Sequence, residues 1–293
     1  MIKNNIRKWK QMLIQDLFGS IYRPGHFYST IPNADDYEKN LPLLLNKQSA
    51  EIPGVNLNFA GQAEFLENAL PFYSEAPFPE LQTAGINYYY KNIYFVSPDA
   101  ISLYLILRTF KPKRVIEVGC GFSSAVIIDT NQRFMNNEIE CTFIDPFPDR
   151  LQWFLKESTA KSTIIEKKVQ DVDWEDFSKL DAGDLLLIDS SHVSKLGSDV
   201  NYLFFNIIPR LKKGVVVHVH DVMYPFEYPI AWVNEKRFWN EAYLLHSFLT
   251  NNESFKLVLF NSFMTIHHNV WLKKNMPRLG NAEGGSIYMV KTN

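Results

Sequence analysis

The stretch RVIEVGCGFSS, Arg114–Ser124, constrains this chain more than any other. A short β-branched run carrying one acid, Glu117, breaks into Gly119-Cys120-Gly121 and then into two serines. β-Branched residues suit a pleated strand, and glycines let the backbone turn and approach a ligand closely. Ser123 and Ser124 suit the first turn of a helix, whose free N–H groups attract a polar ligand. The stretch therefore reads as the first strand and nucleotide-binding turn of a Rossmann-like domain. Glu117, Gly119, Gly121 and Ser123 are its candidate cofactor-binding residues.

Further strands are expected at Cys141–Asp145, Thr163–Val169, Asp184–Asp189, Gly214–His220, Phe255–Asn261 and Ser286–Lys291. Helical patterns fill most gaps, around Ser123–Phe134, Asp149–Ser158, Val200–Leu211 and Arg237–Leu249. This alternation predicts an α/β fold, a seven-stranded, mostly parallel sheet with helices on both faces. No convincing long helix lies between Ser262 and Gly285, which leaves the final strand free to insert antiparallel.

Upstream, Ser97-Pro98-Asp99-Ala100 reads as the start of a helix running to about Phe110, with Ser as cap, Pro at the first position and an acid in the first turn. The expected division is an N-terminal extension or cap over residues 1–96 and a Rossmann-like domain over 97–293. In the extension, Ile2, Ile6, Trp9, Leu13 and Leu17 share one face of a helix over residues 2–18, with Lys3, Arg7, Lys8 and Lys10 largely on other faces. Such a helix docks on its own domain, builds a homo-oligomer with a second copy, or lies on a membrane surface. Residues 19–96 are rich in Pro, Asn and aromatics, with a helix near Gly61–Leu70, and read as an ordered cap. His26, Tyr28, Tyr88, Tyr89 and Tyr90 either line a substrate pocket or pack.

The 293 residues, 46% of them hydrophobic, provide for a normal globular core. A formal charge of -2 gives no overall reason to bind nucleic acid. Two cysteines, Cys120 and Cys141, make neither a disulfide framework nor a zinc motif. With no apolar leader and no apolar run near the ~18 residues of a membrane span, the expectation is a cytoplasmic protein acting on a small molecule.

Ligands of open α/β sheets sit at the carboxyl ends of the strands. The second strand ends at Asp145, 24 residues beyond Gly121, close to the spacing of an acid that binds ribose hydroxyls; the alternative is a turn residue before Pro146. The third ends near Gln170-Asp171, where Asp171 either reaches an adenine amino group or caps a turn. The fourth ends in LLLIDSSHV, with Asp189 at its tip and His192 three residues on, and Asp199 follows at a helix start. The fifth ends in VVVHVHDV, so His218 and His220 share a face and Asp221 follows. Burying such groups unpaired costs several kcal/mol, which favours a functional cluster over a plain structural His–Asp pair. His218 is the residue of this set best suited to a structural role.

With these residues in place, residues 97–293 resemble the class I S-adenosylmethionine-dependent methyltransferases. VIEVGCGFSS is similar to the family's first motif, with Glu117, Gly119 and Gly121 in its main positions, and FIDP to its second, with Asp145 as the ribose-binding acid. LLLIDSSHVSKLGSDV, GVVVHVHDVMYPFEYP and RFWNEAYLLHSFL resemble a bacterial branch with D-x-x-H and H-D strand ends. The resemblance implies S-adenosylmethionine as cofactor and a seventh, antiparallel strand. In the catechol-type O-methyltransferases the fourth strand ends in D-x-x-K and the fifth in D-N, which supply magnesium ligands and a Lys base. Here Asp189 and Asp221 match the two acids and are candidate Mg2+ ligands, His192 stands in place of the Lys, and Val222 replaces the Asn, with water or His220 left to complete the shell.

His192 is accordingly the expected general base, with an ordinary pKa near ~6.5, and Asp189, Asp221 and His220 the other candidate catalytic residues. The expected reaction is O-methylation of a hydroxyl on a sugar or other metabolite. Three readings compete. An NAD-dependent oxidoreductase wants a third glycine where Ser124 stands. A non-catalytic cofactor-binding module has no use for the paired His and Asp tips, and a cephalosporin-hydroxylase-like role is the third.

Overall fold

Strand β1 (Arg114–Val118) stands in the middle of the sheet, with Val115, Ile116, Glu117 and Val118 all buried. The computed structural model describes residues 6, 8–10, 12, 13, 17, 19, 21–33, 39, 40, 44, 46–156 and 161–293. These residues divide between two units, Lys47–Tyr228 with Trp239–Asn293, and Met1–Asn46 with Pro229–Phe238.

In the larger unit the strands are β1, β2 (Glu140–Ile144), β3 (Ser162–Ile165), β4 (Leu185–Ile188), β5 (Val216–Val219), β6 (Phe255–Phe260) and β7 (Ile287–Lys291), in the spatial order β3-β2-β1-β4-β5-β7-β6. The first five pair in parallel, while β7 runs antiparallel to both β5 and β6. The expected architecture is thus present, antiparallel final strand included. β4 is a wholly buried Leu-Leu-Leu-Ile run, as a strand covered on both faces requires.

The helices that matter to the site are α1 (Phe59–Tyr73), α2 (Ser97–Phe110), α3 (Phe122–Phe134), α4 (Asp149–Leu155), α5 (Glu241–Leu249) and α6 (Asn261–His267). α2 is buried from Pro98 to Leu107 and packs between α1 and α3. Residues 47–96 lie within this unit. Among their aromatics Tyr88 is fully buried, donates its hydroxyl to Phe95 O at 2.8 Å and meets Phe78 and Tyr90 edge-on, so it packs and lines no pocket.

Several boundaries shift from the sequence reading, and three of the shifts have a visible cause. β3 ends at Ile165 and not Val169, because the Lys167 amide turns back to Ile165 O at 2.9 Å and closes the ladder. The helix expected over Val200–Leu211 is a short α-turn, then a wide turn over Leu203–Ile207, then a tight turn over Ile208–Arg210. Pro209 has no N–H to continue regular bonding. α5 begins at Glu241 and not Arg237, since the amides of Asn240 and Glu241 donate to His192 O at 3.1 and 3.2 Å.

In the smaller unit, the rings of Tyr22 and His26 stack at 4.7 Å. The expected amphipathic helix over residues 2–18 falls largely outside the described residues. Of its apolar positions, Ile6, Trp9, Leu13 and Leu17 are described, helical and exposed. Among the described residues no helix is long and apolar enough to cross a membrane.

Register carries the site. Val118 lies beside Ile144 and Ile188, and Ile188 beside Val219. The next residue of each strand is therefore at one common edge: Gly119, Asp145, Asp189 and His220. Gly119 has φ +81, and a Cβ there would stand 1.8 Å from Asp189 O. Only glycine passes. Gly119→Ala is expected to cost roughly 2–4 kcal/mol, from a left-handed non-glycine residue and a backbone clash, and to weaken S-adenosylhomocysteine binding. Chemical denaturation and calorimetry on the variant measure both effects.

Candidate active site

A cavity of about 450 Å³ opens at this edge, lined among others by Gly119, Asp145, Gln170, Asp189, Ser190 and Ser198. A larger hollow of about 660 Å³ lies at the opposite end of β1, beside Lys113 and Arg114, away from every strand tip discussed. Asp145 accepts the amide of Cys120 at 2.8 Å on one oxygen and that of Phe147 at 2.7 Å on the other. It both ties the Gly119–Gly121 turn to β2 and faces the cavity. Asp171 does not join them: it is exposed on a tight turn, while its neighbour Gln170 lines the cavity and donates to Gly197 O at 2.9 Å.

Glu117 and Ser123 likewise turn inward. Glu117 is fully buried and accepts both Ser123 Oγ and Ser124 Oγ at 2.5 Å, and Ser124 Oγ in turn accepts the Gly121 amide at 3.0 Å. These groups, with Gly121, shape the turn from behind. Burial pushes the Glu117 carboxyl up to about 8, against the two serine hydrogen bonds.

The reactive side chains gather at the β4 and β5 tips. His192 Nδ1 lies 2.9 Å from Glu241 Oε2, and its Nε2 faces Asp189 Oδ1 at 3.4 Å and Asp221 Oδ2 at 3.6 Å. His220 Nδ1 faces the same acids, at 3.4 Å from Asp189 Oδ1 and 3.6 Å from Asp221 Oδ1, and its Nε2 faces Asp99 Oδ2 at 3.6 Å. The order across the site is Glu241, His192, the Asp189–Asp221 pair, His220, Asp99. His192 and Asp221 both hold left-handed backbones, φ 59 and 57. Such conformations in non-glycine residues are costly and gather at functional sites. His218 behaves as expected of a structural residue: wholly buried, it lies against Tyr288 at 4.6 Å, and burial pushes its pKa down to about 3, so it is neutral.

Electrostatics corrects one expectation. Burial lowers the His192 pKa, but Asp189 and Glu241 outweigh it and push it up to about 10, not the ordinary ~6.5. His192 on its own therefore carries its proton at neutral pH. Burial raises Asp189, yet His220 and His192 hold it well below the usual carboxylate range. For Asp221 and Glu241 burial wins, and both are raised.

The magnesium expectation meets a misfit in the donor set. Mg2+ takes oxygen ligands in near-ideal octahedral geometry. The two acids are present, but the position of the third oxygen ligand is Val222, apolar and fully buried. The third group that converges with Asp189 and Asp221 is an imidazole nitrogen of His220.

Dinucleotide dehydrogenases use the strand order 3-2-1-4-5-6; this sheet instead inserts an antiparallel β7 between β5 and β6. Residues 116–222 match a family described as a methyltransferase domain. An uncharacterised protein of Archaeoglobus fulgidus is 31% identical over 169 residues, which cover 56% of this chain and 75% of that protein. Residues 116–222 of this chain therefore carry a methyltransferase domain. Among solved structures, the S-adenosylhomocysteine-bound methyltransferase PaMTH1 of Podospora anserina aligns with TM-score 0.43 and 12% identity, over 90% of this chain and 99% of that one. An O-methyltransferase of Bacillus cereus in complex with the same product aligns at 0.44 and 11%, over 78% and 91%.

Two residues of this methyltransferase site escaped sequence reasoning, Asp99 and Glu241. Asp99 had been read only as a first-turn acid of α2, and Glu241 only as part of a helical run. Their one sequence signal is an acid at a helix N-terminus, which ordinary capping explains equally well. In the methyltransferase fold both helix starts meet the strand tips.

The Glu117 proton is held more tightly in the folded chain than in the unfolded one. Stability is therefore expected to fall as pH rises from about 4.5 to about 8 and then to level, with a slope from this group of at most about 1.4 kcal/mol per pH unit. Denaturant titrations of Glu117→Gln against the wild type across that range should show that part of the slope removed; equal slopes would contradict the assignment.

Proposed function

We propose that this methyltransferase transfers the S-adenosylmethionine methyl group to a hydroxyl of a small molecule, a sugar or other metabolite, bound over the β4 and β5 tips. The observation that supports this most is continuity: one cavity runs from Gly119 and Asp145, where the cofactor's sugar would lie, to Asp189 and Ser190 at the edge of the paired histidines and acids. Gly119, Gly121 and Asp145 are the cofactor-binding residues of this reading, with Glu117 and Ser123 holding the turn from behind and Gln170 in the place first given to Asp171. Bound S-adenosylmethionine supplies an electrophilic methyl on a sulfonium. The chain's own residues orient the acceptor and take its proton, and orientation alone accounts for much of the rate of such a transfer.

His192 is the base of this proposal. Asp189 and Glu241 hold a proton on it, so it serves as base only after releasing that proton, which compensation of the acid pair's charge would allow; the freed ring nitrogen then takes the acceptor's proton. Trp239, whose ring lies 4.4 Å from that of His192, flanks the place of the acceptor. A cytoplasmic setting agrees with Cys120 and Cys141, both free.

Calorimetry with S-adenosylhomocysteine and with NAD is the first test: the methyltransferase reading expects saturable binding of the former only. In single-turnover assays against a panel of hydroxylated acceptors, His192→Gln is expected to slow transfer about 10²–10⁴-fold with product affinity unchanged. Unaltered transfer by that variant removes His192 from the base role.

A further inference from the structure

We propose that Asp189, His220 and Asp221 form a site for a divalent transition metal of the manganese-to-zinc series, and that magnesium is not its ion. The inference deepens the methyltransferase reading, since it concerns the same strand tips, but it stands on its own donor geometry.

One ligand atom from each of the three residues lies within 4.8 Å of the others. Clusters of acids alone mean little, because carboxylates gather at many surfaces. The imidazole is the distinguishing observation. His220 is 5% exposed, yet neither of its ring nitrogens makes a hydrogen bond. A buried imidazole ringed by carboxylates at 3.4–3.6 Å, with hydrogen-bond geometry to none of them, calls for an explanation. Its Nδ1 points at two carboxylates from 3.4 and 3.6 Å, too far for a good hydrogen bond and close enough to share a cation with them.

The outer contacts agree. Ligating histidines generally turn their second nitrogen to a carboxylate, which fixes the ring and sharpens the metal site. His220 Nε2 faces Asp99, a 2% exposed carboxylate that Asn261 Nδ2 holds at 3.0 Å. A Cβ at Gly284 would stand 2.7 Å from Asp99 Oδ1, so the chain leaves room there for that carboxylate. Across the acid pair, His192 is held in the same way by Glu241.

Ligand type selects the metal. Imidazole nitrogen suits iron, cobalt and zinc, and manganese accepts a mixed set, whereas magnesium demands oxygen and prefers to keep its waters. Val222 offers neither.

The test uses the full chain stripped with a chelator and titrated with MnCl2, ZnCl2 and MgCl2 by calorimetry, with pulsed electron paramagnetic resonance on the manganese form. Expected are one equivalent of Mn2+ or Zn2+, nitrogen modulation from a directly bound imidazole, and no displacement by millimolar Mg2+. His220→Gln should abolish the nitrogen signal. Asp99→Asn should weaken manganese about 10–100-fold. Absence of uptake, equal competition by Mg2+, or a manganese spectrum without nitrogen modulation overturns the proposal; the last needs only the wild type. Metal uptake without S-adenosylhomocysteine binding would instead remove the methyltransferase reading and leave the metal site standing.

Discussion

The passage of Gly119 beneath the Asp189 carbonyl is the contact on which the rest of the site depends. β1 and β4 are neighbours at the point where strand order reverses, and the Asp189 amide donates to Val118 O at 2.9 Å. With no Cβ at Gly119, the Gly119–Gly121 turn closes onto β4 with no side chain between them. A single backbone approach thus sets the distance between the ligand turn and the acids that face it. Glu117 then braces the turn from below through both serines, and Asp145 braces it from the side through the Cys120 amide.

The second constraint is charge. Four carboxylates and two imidazoles are drawn from four elements, α2, the β4 and β5 tips and α5, and largely withheld from water, an arrangement whose desolvation is repaid only by mutual pairing. Each member holds its neighbour's ionisation state: the histidines keep Asp189 ionised, and the acids keep His192 protonated. The left-handed turns at His192 and Asp221 belong to the same account, since both side chains meet only because their backbones leave the strands abruptly.

Much of this was legible in the sequence. β1, its turn and α3 followed from RVIEVGCGFSS, because the residue types that build a strand, a turn and a helix start are local in their effects. The antiparallel β7 followed from the missing long helix before Ser286. The clustering of Asp189, His192, His220 and Asp221 followed from strand ends sharing one edge of a parallel sheet. The direction in which a side chain turns was harder to read. Ser123 and Glu117 sit in the ligand turn yet bond to one another, and Asp171 falls one residue beyond the one lining the cavity. Asp99 and Glu241 were invisible as site residues, since no local pattern says which helix start will meet which strand tip. The charge on His192 was half hidden for the same reason, since besides the nearby Asp189 it is imposed by Glu241, 49 positions away.

His192 is gripped twice by one short stretch. The amides of Asn240 and Glu241 hold its carbonyl, the Glu241 carboxylate holds its ring, and Trp239 lies against that ring. Backbone, imidazole and flanking indole are therefore tied to the three residues Trp239–Glu241 at the start of α5. If Trp239 flanks the acceptor as proposed, a change of acceptor made at position 239 would also disturb the contacts of the ring proposed to handle the proton.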